Sequence, residues 1–127
     1  MKTRTRSVLV IDDSPIAADK IARLLERAGF DVEQQDTPIG VTARLLKKEF
    51  DAVVIDLIMP AMRGDRLAAL ICSHWSLERV PVVLTSASEE LPDVSILSMK
   101  NVCFVPKDAL DAELVGTLER ALDGGPA

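Results

Sequence analysis

Five polar side chains in this sequence could work together: Asp12, Asp13, Asp56, Ser86 and Lys107. Each lies just past an apolar run, at residues 8–11, 52–55, 82–84 and 102–105. Short apolar runs rich in β-branched residues read as strands buried on both faces, so these polar groups stand at strand C-terminal ends. In open parallel sheets, ligands and chemistry gather along that edge. With the first and third strands as neighbours, three carboxylates crowd one spot. Two carboxylates ~4 Å apart repel by about 4 kcal/mol at an effective dielectric of roughly 20, and the single ammonium of Lys107 cannot offset three of them. The cluster therefore calls for a divalent cation. Its donors are oxygens, few in number, with no His or Cys near them, which favours Mg²⁺, or Mn²⁺, over Zn²⁺. An aspartate beside such an ion is a competent nucleophile toward phosphorus. Phosphoryl transfer asks for little beyond positioning and neutralisation of the equatorial oxygens. Magnesium, Lys107 and the Ser86 hydroxyl could each take one oxygen, leaving Asp56 with an acyl phosphate. The plainer alternative is a solvated acidic rim.

The elements that must position these groups follow from patterning. The first strand, residues 7–11, ends in Asp12-Asp13, and Ser14-Pro15 then starts a helix with a cap and an N1 proline. Ile21, Leu24, Leu25 and Ala28 keep its apolar stripe and Gly29 closes it. Residues 30–33 alternate apolar and charged, as an edge strand does. Thr37-Pro38 repeats the cap-and-proline start, with Ile39, Ala43, Leu46 and Phe50 facing inward. After the Asp56 strand, Met59-Pro60 and Gly64 turn the chain into a third helix running to about Trp75, with Leu67, Leu70 and Ile71 inward. Residues 80–87 form the fourth strand. Pro92 forbids a regular helix through residues 89–91, so a short helix from about Pro92 carries Val94 and Leu97. The fifth strand, 102–105, precedes a last helix capped by Asp108, with Leu110, Leu114, Leu118 and Ala121 inward. Alternating strands and helices predict an α/β fold: a doubly wound, parallel, five-stranded sheet with five helices. The amphipathic second strand belongs at an edge, which gives the order 2-1-3-4-5.

Composition bounds the rest. A chain of 127 residues is the length of one domain, with a core over about residues 7–122 and loose ends at 1–6 and 123–127. Its 48% hydrophobic content suffices for that core, and 3% aromatic content makes it aliphatic. A formal charge of −5 and few stacking rings argue against nucleic acid as a direct partner. No apolar run approaches the ~18 residues of a membrane span, and no signal peptide is visible, so a cytoplasmic location is expected. Cys72 and Cys103 fit no metal spacing and read as reduced thiols.

The sequence resembles the receiver domains of two-component response regulators. The resemblance is carried by Asp12-Asp13 after the first strand and by Asp56-Leu57-Ile58-Met59-Pro60-Ala61-Met62-Arg63-Gly64, close to the family's D-x-x-M-P-x-M-x-G. Residues 81–87 and Phe104-Val105-Pro106-Lys107 complete it, in register over about 7–122. It implies a flavodoxin-like fold and Asp56 as phosphoacceptor. It implies Mg²⁺ held by Asp13, Asp56 and the backbone carbonyl of Ile58, with Asp12 acting mostly through water. It places Lys107, Ser86 and the backbone of Ala87 against the phosphoryl group, and makes Ser86 and Phe104 the switch pair, with Thr85 the rival hydroxyl. Asp108 stands where the family most often has proline, Phe104 lacks a switch tyrosine's hydroxyl, and residues 88–101 lack the usual Gly-Ala step.

The function so implied is a stand-alone receiver in phosphorelay signal transduction. It would take a phosphoryl group from a histidine kinase or phosphotransfer protein and present a changed face to a downstream protein, with room for a phosphorylation-dependent dimer. It would be no enzyme beyond catalysing its own phosphorylation and dephosphorylation. The alternatives are a pseudo-receiver that only binds and, less favoured, a metal-dependent aspartyl phosphohydrolase, which would need a cap or a further acid–base residue. His74, the only histidine, reads as a surface helix residue, and Trp75 as helix-end packing.

Overall fold

Apolar strands with no polar face can satisfy themselves only at the centre of a covered sheet. In the computed structural model, which describes residues 5–123, the strands β1 (Ser7–Ile11), β2 (Asp31–Gln35), β3 (Ala52–Asp56), β4 (Val82–Ser86) and β5 (Val102–Pro106) pair in parallel. Their order is β2-β1-β3-β4-β5, as the sequence predicts. Helices α1 (Pro15–Arg27), α2 (Val41–Lys47), α3 (Gly64–Ser73) and α4 (Val94–Leu97) are the crossovers, and α5 (Leu110–Leu122) follows β5. Strand alternation splits the core in two. Leu9, Ile11, Val53, Ile55 and Leu84 pack under α2, α3 and α4. Val8, Val10, Val54, Val83 and Val105 pack under α1 and α5. β2 takes the edge, and none of its residues is fully buried.

Several helix faces differ from expectation, each for a local reason. Helix α2 begins at Val41, four residues beyond Thr37. The side-chain amide of Gln35 donates to the carbonyls of Thr37 and Ile39, and Gly40 turns the chain at φ +82°. The inward residues are therefore Val41 and Leu45, whereas Ile39, Ala43 and Leu46 face solvent. Phe50 is buried, but beyond the helix, where the cations of Arg44 and Lys48 cover its ring. Helix α3 stops at Ser73, because Ser76 N–H donates to the His74 ring and Leu77 N–H to the His74 carbonyl. Leu70 is half exposed, and Trp75 stacks on His74 in the open instead of packing at the helix end. In the short α4 it is Ile96, not Val94, that is buried. Asp108 does not cap α5: a 3-10 turn, Lys107–Ala109, leads into it. In α1, Ala18, Ile21, Ala22 and Leu25 are buried, and Ala28 is exposed.

The expected loose ends fall partly on residues 1–4 and 124–127, outside the described residues. Arg6 and Asp123 pair at 3.0 Å, and the Arg6 carbonyl accepts from Asp31 N–H. No helix among the described residues is long and apolar enough to cross a membrane.

Candidate functional site

Sheet register alone assembles the site. Ile11 lies opposite Ile55, so Asp12 and Asp56 meet one residue further on. Asp56 lies opposite Thr85, and Ser86 opposite Pro106, which puts Lys107 one step past the same rim. The carboxylates of Asp12, Asp13 and Asp56 each offer an oxygen within 4.8 Å of the others. Lys107 Nζ bridges the cluster, 2.8 Å from Asp12 Oδ2 and 3.3 Å from Asp56 Oδ1.

Each member is fixed by its surroundings. Asp12 Oδ1 accepts from Ser14 N–H at 2.9 Å, just before α1, where Ser14 is the cap and accepts from Ala17 N–H. Asp12 Oδ2 is buried, and the Lys107 ammonium at 2.8 Å is the partner that meets it. Asp13 is exposed. Burial chiefly, and then the charge of Asp12, push the Asp56 carboxyl above its ordinary range, although Lys107 pulls the other way. Burial acts to lower the Lys107 ammonium, but its contacts with Asp12 and Asp56 outweigh that and raise it. One ammonium against three carboxylates leaves the rim negative.

That imbalance is the test of whether a cation suits the place. Three carboxylates within reach of one another, matched by a single ammonium, and an all-oxygen donor set fit a hard divalent ion. Ile58, whose backbone carbonyl the resemblance assigns to that ion, lies two residues past Asp56 with its side chain outward.

The remaining sequence-expected residues lie on β4, on β5 and in the loop after β4. Ser86 Oγ pairs with Ser88 Oγ at 3.0 Å and accepts from Ser88 N–H at 3.2 Å. Ala87 is exposed at the start of the loop. Thr85 is fully buried and its hydroxyl has no hydrogen-bond partner. Phe104, opposite Leu84, packs half-buried against the α2–α4 side of the core.

Two features escape sequence reading. Ala61, within the connection after Asp56, has φ +75°, a left-handed conformation costly for a residue with a Cβ. Gly64 approaches β3 so closely that a Cβ would stand 2.2 Å from the Asp56 carbonyl oxygen. Its place in the motif is legible; the contact is not.

The transcriptional regulatory protein GltR of Pseudomonas aeruginosa is 28% identical over 123 residues, 96% of this chain and 51% of its own length. The sensory/regulatory protein RpfC of Xanthomonas campestris pv. campestris is 31% identical over 120 residues, 92% of this chain but 16% of its own. The chain thus spans about half, or less, of these relatives. Among solved structures, the signal receiver domain of a signal transduction histidine kinase from Syntrophus aciditrophicus superposes with a TM-score of 0.83 at 26% identity, covering 94% and 92% of the two chains. Vibrio cholerae chemotaxis protein CheY4 shares the fold with a TM-score of 0.80 at 21% identity, over 93% and 99%. The sequence model of the response regulator receiver domain matches residues 8–119. A match of that extent, on a sheet of this order, makes the chain a member of the response regulator receiver domain family.

Proposed function

We propose that this protein accepts a phosphoryl group on Asp56 from a histidine kinase or a phosphotransfer protein, in a Mg²⁺-dependent reaction, and signals through an altered protein-binding face. The observation that carries the reading is the meeting of Asp12, Asp13 and Asp56 at one rim with Lys107 bridging two of them.

A carboxylate oxygen of Asp56 attacks phosphorus opposite the donor's P–N bond. That bond breaks, its electron pair stays on the donor imidazole, and the imidazole takes a proton from solvent. The product is an acyl phosphate on Asp56. Asp12, Asp13 and Asp56, with the Ile58 carbonyl, would hold Mg²⁺, which when bound supplies positive charge against the phosphoryl oxygens. Lys107, already within 3.3 Å of Asp56 Oδ1, supplies a second positive charge to the same group. The Ser86 hydroxyl, once it leaves Ser88, and the Ala87 N–H bind a third oxygen. Phe104 shares the sheet face of Leu84, two residues before Ser86, and its ring follows the space the hydroxyl gives up. Such a coupled shift is a two-state equilibrium biased by a local charge. The protein catalyses only its own phosphorylation and dephosphorylation.

The test is incubation with acetyl phosphate and Mg²⁺, wild type against Asp56→Ala. A label that forms on the wild type, needs Mg²⁺ and is lost in Asp56→Ala is expected. A label surviving in Asp56→Ala, or no label on the wild type, rejects the reading.

A further inference from the structure

One buried carboxylate outside the acidic rim has a full set of partners that the phosphorylation chemistry does not use. Asp65, the second residue of α3, is 3% exposed. Its Oδ1 accepts from Arg63 Nε at 3.2 Å and its Oδ2 from Arg63 Nη2 at 3.1 Å. Oδ2 also accepts from the backbone N–H of Asp93 at 3.0 Å, a residue 28 positions away. Asp93 is the cap of α4: its Oδ1 accepts from Ser95 N–H at 2.9 Å and from Ser95 Oγ at 2.7 Å. Arg63 reaches further, with Nη1 3.3 Å from Glu90 Oε2.

These contacts join the two loops that matter. One is the β3–α3 connection, attached stiffly to Asp56: Gly64 N–H donates to the Leu57 carbonyl at 2.8 Å, and Gly64 lies directly against the Asp56 carbonyl. The other is the β4–α4 loop that begins after Ser86. Its helix, α4, has four residues, too few to hold itself by its own hydrogen bonds. Burial opposes the Asp65 charge, but the Arg63 fork and the Asp93 N–H outweigh it and hold the carboxyl below its ordinary range.

We propose that Asp65, clamped by Arg63, is a positioning residue that fastens the N-cap of α4 to the start of α3 and thereby sets how readily the Ser86–Asp93 loop leaves its resting arrangement. The proposal rests on the reading of Asp56 and Ser86 given above. At rest, Ser86 Oγ is engaged by Ser88, and Ser88 Oγ accepts from Glu90 N–H at 3.1 Å. For Ser86 to reach a phosphoryl oxygen on Asp56, that turn has to open. The same loop is pinned downstream, by Arg63 at Glu90 and by Asp65 at Asp93. Releasing the downstream pin raises the population of the opened loop. A ligand that binds only the opened loop then binds more tightly by the same factor.

Arg63→Gln and Asp65→Asn in the full chain test this by two readouts. In Mg²⁺-free protein, amide hydrogen exchange over residues 88–97 is expected to quicken in both variants while the amides of β1 and β3 hold their rates. Beryllofluoride with Mg²⁺ is expected to bind them about 3–10-fold more tightly than wild type. Glu90→Gln removes only an exposed pair and is expected to change binding less than about twofold. Unchanged exchange over residues 88–97 in both variants overturns the proposal. So does quickened exchange with equal or weaker beryllofluoride binding, since the clasp would then be the same in both states. If the wild type takes up no beryllofluoride, it is the reading of Asp56 that fails, and the exchange measurement still decides whether the clasp holds the loop. If Asp65→Asn does not fold, Arg63→Gln, whose side chain is 41% exposed, carries both readouts.

Discussion

Asp56 is 6% exposed and shares the rim with the Asp12 carboxylate, so its ionised form is disfavoured in the cation-free fold even with Lys107 beside it. A carboxyl whose folded pKa is raised adds stability below its unfolded pKa and loses that contribution as pH rises through the folded one. At neutral pH the Asp56 charge therefore works against folding. Asp56→Asn is expected to raise cation-free stability at pH 7 by on the order of 1 kcal/mol, about 3–5 °C in Tm. The gain should shrink as pH falls and the wild-type carboxyl protonates; a variant that melts lower than wild type at pH 7 contradicts the electrostatic account. Ala61 carries a different strain. At φ +75° a Cβ is unfavourable and glycine is not, so Ala61→Gly is expected to stabilise by about 0.5–1 kcal/mol in urea unfolding, less the entropy glycine gives the unfolded chain.

At the scale of elements, Asp65 ties α3 to α4, and its contribution has the opposite pH dependence. Its folded pKa is held below the ordinary value of 3.8 by Arg63 and Asp93 N–H acting against burial. The stability it brings is present above that ordinary value and is lost as pH falls through the lower, folded one. Asp65→Asn is expected to cost about 1–2 kcal/mol in urea unfolding at pH 7, with a clearly smaller difference near pH 3. An equal cost at both pH values would mean the loss is one of packing and not of charge. Legibility in the sequence divides along the same line. Val53, Val54 and Ile55 declare a central strand because no other structure buries three successive apolar residues so simply, and Asp56 is then located by being the next residue. Register follows, and with it the meeting of Asp12, Asp56 and Lys107. Helix faces are less legible from spacing. Ile39 and Leu46 look inward by spacing, yet Gln35 captures the Thr37 and Ile39 carbonyls and shifts the start of α2. Asp65 is visible as an acidic residue in a first helical turn; its partner Asp93 N–H is a backbone group from a distant loop, which no periodicity reveals.

At the scale of the molecule, the acidic rim is a place where the described residues leave charge unbalanced. Both layers of the core close with apolar side chains, and Arg6 pairs with Asp123 near the extremes of the described chain. Against that background, three carboxylates share one ammonium along a single edge of the sheet. An ion that binds this rim only when β1 and β3 are in register binds the native state alone, and stabilises it by mass action. At a Mg²⁺ concentration about tenfold above its dissociation constant, the expected gain is ~1.4 kcal/mol, or about 4–7 °C in Tm. Screening of a net charge of −5 would also raise Tm with any salt, so the comparison is with NaCl at equal ionic strength. Asp13→Asn leaves the buried Asp12–Lys107 pair in place and removes one exposed ligand oxygen, so it should melt near the wild type without Mg²⁺ and lose most of the Mg²⁺-specific shift. A shift equal in NaCl and MgCl₂, or one undiminished in Asp13→Asn, would show that the three carboxylates tolerate one another without an ion.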